Sequence, residues 1–283
     1  MEPTGISLDA LIPAEMAARA EQIGVKKAHL NEVSMFTLSV LAGAFISLGA
    51  VFSTTVVAGA GDLPYGITRL LAGLVFTLGL ILVIVGGAEL FTGNNLIVMA
   101  WAGGKVSTGL LLKNWVIVYL GNFAGALGTA ALMYVSGQYT FGKGAVGVAG
   151  RATASAKSGL DFAQAIALGV LCNALVCLAV WMTFSARTTT DRILAIIPPI
   201  TAFVAAGFEH SIANMYFIPI GLLIKAGAPA SFWEAIGKAP TDYANLTWGN
   251  FFVNNLIPVT LGNIIGGAVL VGAVYWFVYL RKR

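Results

Sequence analysis

Four apolar stretches of this chain, 35–58, 112–136, 162–184 and 248–280, have the length and composition of membrane-crossing helices, with short polar connections between them. Two further stretches, 70–101 and 193–224, are longer and carry polar residues at their middles. Each is about 32 residues, roughly 48 Å as one straight helix against a hydrocarbon core of about 30 Å. Neither fits as a single unbroken span. The pattern predicts six spans, with the second and fifth entering the membrane, breaking near Ala88–Asn95 and Phe208–Met215, and resuming. Ionisable side chains at that depth cost several kcal/mol unless they face a cavity or find partners, so the breaks are where function is expected.

Ahead of the first span, Ser7 to Lys27 reads as a short amphipathic helix. Pro13 is its first residue, Met16, Ala20 and Ile23 form one face, Arg19 and Glu21 lie opposite, and Gly24 is a plausible stop. Such a helix lies on the membrane surface or plugs a vestibule, and the surface is the simpler reading. The stretch between the third and fourth spans, with Lys143, Arg151 and Lys157, reads as a polar, glycine-rich loop. A loop of about 23 residues with Lys225 and Lys238 precedes the sixth span.

Composition agrees with a polytopic membrane protein: 58% hydrophobic residues, 10% charged and a mean hydropathy of +0.86. The net charge of +4 is spread over the loops rather than gathered on one helix face, which argues against nucleic acid as a partner. Its use is topological. Lys and Arg are denser in the N-terminal segment, the second and fourth loops and the tail, which predicts cytoplasmic N- and C-termini. Residues 1–33 carry five acids and lack the pattern of a signal peptide, so they are expected to be retained as a cytoplasmic amphipathic segment before a single transmembrane domain, 34–283. Cys172 and Cys177, on different faces of one helix, are packing residues rather than a disulfide or metal pair.

The two broken runs repeat each other. Glu89 precedes Asn94 by five residues and Glu209 precedes Asn214 by five. In the spans that follow, the run from Lys113 to Gly125 aligns without a gap on the run from Asn254 to Gly266, matching Asn114, Gly121, Asn122 and Gly125 to Asn255, Gly262, Asn263 and Gly266. The repeat units are about 34–136 and 161–280. Three spans cross the membrane an odd number of times, so the second unit is expected upside down, with the broken ends meeting near the midplane. Because unwound backbone there finds no partner in lipid, Glu89, Asn94, Glu209 and Asn214 read as supports for the breaks rather than as ligands.

What differs between the breaks is Leu90, Phe91 and Thr92 in one and His210 and Ser211 in the other. The imidazole is the side chain here that can change charge near neutral pH, and with Thr92 it can donate to a small anion. The same residue also reads as a neutral packing histidine, and the residues alone leave both open. No metal-ligand spacing, phosphate loop, nucleophile–base pair or cofactor fingerprint is present, which disfavours an enzyme.

Over nearly its whole length the chain resembles the formate/nitrite transporter family, and within it the formate channels. The resemblance rests on Leu11–Ala14 with Gly24–Lys27, Ala88–Thr92, Lys113–Trp115 with Gly121–Asn122, Asn173–Trp181 and Gly207–Met215. It implies an aquaporin-like, all-α six-helix protomer without a cofactor, assembled as a homopentamer in a bacterial cytoplasmic (inner) membrane with a pore in each protomer. By similarity His210, Thr92 and Asn173 are polar contacts of a central chamber. Leu80, Leu90 and Phe91 form one hydrophobic constriction and Phe76 and Phe203 the other, and the N-terminal segment up to Lys27 is linked to pH gating. The implied cargo is formate, with nitrite or hydrosulfide as the alternative, since all are small weak-acid anions. A bare carboxylate crossing apolar constrictions meets a barrier of several kcal/mol or more, which proton donation by or through His210 would remove. A water or glycerol pore is disfavoured because neither break carries an Asn-Pro-Ala sequence.

Overall fold

The computed structural model describes residues 9–281, which are helical with no strand among them. Helix α1, Pro13–Ala28, is followed by α2, Glu32–Val57, and α3, Tyr65–Gly86. After the first break come the short α4, Phe91–Asn94, a 3-10 turn at Asn95–Ile97, and α5, Val98–Ala102. Helix α6, Thr108–Val135, leads to α7, Ala145–Ser158, α8, Phe162–Ser185, and α9, Thr189–Ala205. The second break separates α9 from α10, Ser211–Gly227. After α11, Ala230–Ala235, one helical run is built from α12, Trp248–Asn250, α13, Ile257–Ile264, and α14, Val274–Tyr279, joined by π-helical segments at Phe251–Leu256 and Ile265–Ala273. Five helices among the described residues are long and apolar enough to cross a membrane; α9 and α10, separated by a break, are too short to be among them.

Side chains start the spans where the pattern places them. Asn31 accepts hydrogen bonds from the amides of Val33 and Ser34 at the start of α2, and Asp161 accepts from Ala163 and Gln164 at the start of α8. Thr188 and Asp191 form a capping box on α9. The amide hydrogen bonds from Thr188 and Arg187 hold the Asp191 carboxyl below the ordinary carboxylate range.

Close helix contacts are made through glycine. A Cβ on Gly125 of α6 would stand 1.9 Å from the Val40 carbonyl oxygen of α2, and one on Gly266 would stand 2.1 Å from the Val170 carbonyl oxygen of α8.

Four readings of the segments outside the spans are corrected. Helix α1 does not stop at Gly24 but continues to Ala28, with Gly24 against Ala100 and Ile97. Its apolar face is not left free for lipid: Met16, Ala17, Ala20, Glu21 and Ala28 are buried, because α1 packs on the segment after the first break, and Glu21 pairs with Lys105 just beyond α5 rather than facing water. Residues 1–8, including the predicted helix start at Ser7, lie outside the described residues, as do 282 and 283.

The glycine-rich connection is also not a loop. Helix α7 occupies it and buries Val146, Gly147, Gly150 and Ala154 against α10 and its surroundings, so its small residues are a packing face. Its Arg151 is enclosed by the rings of Phe232, Trp233 and Tyr243, 4.4–5.2 Å from the guanidinium carbon, which holds the α11 region down. Lys225 belongs to α10 rather than to the loop and donates to the carbonyls of Tyr243 and Leu246.

Candidate functional site: the two helix breaks

Each break opens with a glycine in the left-handed region, Gly87 at φ 79° and Gly207 at φ 78°, and continues through an extended residue, Leu90 or His210. The exposed backbone is then satisfied in the same way twice. The amide of Glu89 donates to the Leu38 carbonyl and that of Glu209 to the Leu168 carbonyl, both at 3.2 Å. Asn122 donates to the carbonyls of Ser39 and Glu89 at 2.8 and 2.9 Å and accepts from the Phe91 amide at 2.9 Å. Asn263 donates to the carbonyls of Gly169 and Glu209 and accepts from the Ser211 amide, all at 2.9 Å. One buried amide side chain thus closes each break.

The two carboxylates are matched as well. Lys27 Nζ lies 2.7 Å from Glu89 Oε1, and Lys157 Nζ lies 2.7 Å from Glu209 Oε1. Asn94 donates to Glu89 Oε2 at 2.7 Å and to Asn114 Oδ1 at 2.9 Å; Asn214 donates to Glu209 Oε2 and to Asn255 Oδ1, both at 2.7 Å. Asn114 and Asn255 in turn donate to the carbonyls of Lys27 and Lys157. The networks differ in their detail: Asn255 also donates to Glu209 Oε2 at 3.2 Å, where Asn114 turns to Met35 Sδ at 3.6 Å. Lys27 also donates to Asn94 Oδ1 at 3.0 Å, whereas Lys157 lies 5.5 Å from the centroid of the Phe217 ring.

Between the breaks, Thr92 Oγ1 and His210 Nε2 are 3.0 Å apart, and both residues are buried. The amide of Ala213 donates to His210 Nδ1 at 3.0 Å, so the imidazole caps the start of α10. That bond fixes the tautomer of the neutral ring. Nδ1 is the acceptor, Nε2 carries the hydrogen, and the ring donates to Thr92. The Thr92 hydroxyl hydrogen is then left to donate elsewhere.

A cavity of about 200 Å³ under α1 is walled by Lys27, Leu80, Leu90 and Asn94 among others, and a second of about 390 Å³ beside α7 reaches Phe76, Lys157, Phe203, Glu209 and His210. Phe76 and Phe203 meet edge to face with centroids 5.7 Å apart, and Phe203 stacks on His210 at 5.8 Å. Phe91 lines neither cavity; its ring packs edge-on against Trp115 and Tyr119. Asn173 is buried with its amide directed at Asn263 O, Asn95 Oδ1 and the Thr92 carbonyl, next to the Thr92 backbone rather than against the imidazole. Lys157, which the sequence pattern places in a loop, instead lies in the last turn of α7 and pairs with Glu209. The signal that marks it is its position four residues before the capping Asp161, as Lys27 stands four before the capping Asn31.

The model of the formate/nitrite transporter family matches residues 14–277. The chain belongs to that family. This formate/nitrite transporter is 48% identical over 275 residues to the formate channel FocA of Escherichia coli (strain K12), covering 97% of this chain and 96% of that one. It is 44% identical over 267 residues to FocA of Haemophilus influenzae, covering 94% of each. Among solved structures, a pentameric formate channel with formate bound superposes with a TM-score of 0.85 at 49% identity, over 88% of this transporter and 98% of that chain. An ion channel of the same family superposes with a TM-score of 0.79 at 28% identity, over 93% and 98%.

Proposed function

We propose that this protein is a formate channel of a bacterial inner membrane, working as a homopentamer of six-span, 3+3 inverted-repeat protomers with both termini in the cytoplasm. The observation that carries the reading is the Thr92–His210 pair, 3.0 Å apart, held between two cavities by paired helix breaks. The formate-bound pentameric relative supports the cargo and the assembly. Matching hydrogen bonds from Asn122 and Asn263 support the inverted repeat.

The chemistry of the pair suits a small weak-acid anion. With both carboxylates held by lysines, the groups left to meet an anion are the Nε2–H of His210 and the Thr92 hydroxyl, both donors. An anion that displaces Thr92 from the ring accepts both. Desolvation favours protonation of the anion there, and the neutral acid crosses the apolar constrictions at Leu80, Leu90 and Phe91 and at Phe76 and Phe203 at much lower cost. His210 assists by holding the anion while it is protonated. Giving up its own proton as an imidazolium would first require Nδ1 to release the Ala213 amide. Asn173 positions the Thr92 backbone, and Lys27 ties α1 to the first break, which gives pH gating by the N-terminal segment a mechanical route.

Formate uptake into proteoliposomes tests this reading, with and without an inward proton gradient. Replacement of His210 by Phe removes a charge-assisted hydrogen bond worth about 1.5–3 kcal/mol and is expected to slow formate about ten- to a hundredfold. Flux unchanged under both conditions would remove His210 from the pathway. Competition among formate, nitrite and hydrosulfide ranks the cargo.

A further inference from the structure

The cavity under α1 differs from its counterpart in how its arginines are used. Beside α7, Arg69 is committed: its guanidinium donates to the carbonyls of Val204 and Ala205 at the end of α9. The cavity under α1 is lined by Arg19 of α1 and Arg192 in the first turn of α9. Among the described residues, neither guanidinium has a hydrogen bond or an ion pair. The nearby acids are engaged elsewhere. Glu15 accepts from the Ile12 amide, Glu21 holds Lys105, Glu89 holds Lys27, and Asp191 accepts from the amides of Arg187 and Thr188.

Two partly buried guanidinium groups line one cavity, and each presents a planar fork of donors. The chemistry that answers both is a compact oxyanion with more than one charged or acceptor oxygen. We propose that Arg19 and Arg192 form a seat for a phosphate group at the mouth of the pathway under α1. Formate, with one charge and two oxygens, answers one fork; a phosphate has charge and oxygens enough for both. By joining α1 to the start of α9, an occupied seat holds α1 over the cavity and restrains entry from that side. The seat therefore makes the N-terminal helix a ligand-operated latch. It rests on the reading of this cavity as one mouth of the formate pathway, although phosphate binding itself does not.

The test is titration of inorganic phosphate into the full chain in nanodiscs, by calorimetry, in phosphatidylcholine alone and with phosphatidylglycerol added. Saturable binding is expected in the neutral bilayer. R19Q and R192Q are each expected to weaken it about tenfold or more, as loss of a charged hydrogen bond requires, and R19K, which keeps the charge without the fork, by less. Competition from phosphatidylglycerol identifies a lipid headgroup as the occupant, and indifference to it identifies soluble phosphate. No saturable phosphate binding by the wild-type chain in the neutral bilayer, or binding indifferent to both R19Q and R192Q, overturns the proposal. Formate efflux is measured in parallel with phosphate on the α1 side. Phosphate binding without formate flux would fail the transport reading and leave the seat standing, whereas flux without phosphate binding would do the reverse.

Discussion

Substitution of Lys157 by Met is expected to destabilise the protein more than loss of any other single charge, by about 3–5 kcal/mol, or roughly 150- to 5,000-fold in the folded-to-unfolded ratio. The reason is what it leaves behind. Glu209 is 4% exposed, and its Oε2 accepts from Asn214 and Asn255 while Oε1 relies on Lys157. Without the ammonium the carboxylate is an uncompensated charge beside a helix break. Lys27→Met leaves Glu89 in the same position, but the Lys27 side chain is 30% exposed against 15% for Lys157, so water replaces more of what is lost and the cost is smaller. Glu209→Gln in the Lys157→Met background removes the stranded charge and keeps an oxygen for the two asparagines, so the double variant is expected to be more stable than Lys157→Met. Thermal unfolding in detergent, followed by size-exclusion chromatography, reads all four proteins. A melting temperature for Lys157→Met within a degree or two of the wild type, where a fall on the order of 10 °C is expected, would show that the pair does not support the break.

The breaks were legible because membrane insertion leaves little choice about polar residues. A run of about 32 residues with Glu89 and Asn94, or Glu209 and Asn214, at its middle is too long and too polar there to be one span. The repeat was legible for the same reason. Asn122 and Asn263 are buried amides in apolar helices that close the two backbone gaps, and Asn114 and Asn255 hold Asn94 and Asn214 beside them, so their spacing repeats with the geometry. The ion pairs were not legible as pairs. Lys27 is 62 residues from Glu89 and Lys157 is 52 from Glu209, and nothing local to either lysine names its partner. Helix α7 was hidden by composition. Its glycines, threonine and serines weaken an exposed helix, but together with the alanines they let this one pack tightly on its neighbours.

The asymmetry of the site had a different source. His210 and Thr92 stand out in the sequence as what remains after the repeat is superimposed, and their 3.0 Å contact arises because the two breaks meet. The capping bond from Ala213 to the imidazole, which fixes the donor nitrogen, depends on the extended conformation of His210 itself. Sequence spacing carries no information about which ring nitrogen faces the helix start.

Gly125→Ala and Gly128→Ala are expected to part company although they add the same methyl group to the same helix. A Cβ at Gly125 would lie 1.9 Å from the Val40 carbonyl oxygen, 2.9 Å from its carbon and 3.0 Å from the Ala44 amide, all backbone of α2. No rotamer change relieves that contact. The whole of α2 must move away from α6, and the movement reaches Ser39, whose carbonyl accepts from Asn122, the side chain that also satisfies the Glu89 carbonyl and the Phe91 amide. Overpacking against a movable side chain costs about 1–3 kcal/mol, and against backbone the upper end or beyond is expected, about 3 kcal/mol or more. The same displacement opens the hydrogen bonds that close the first break, so formate flux is expected to fall with stability. At Gly128 nothing stands within 4 Å, and alanine there gains helix propensity of about 1 kcal/mol, so its variant is expected to be as stable as the wild type or slightly more so. Thermal unfolding and proteoliposome flux of the two variants side by side decide the matter. Equal stability of the pair would mean that α2 and α6 do not approach through Gly125, and that Asn122 has no fixed helix contact from which to hold the break.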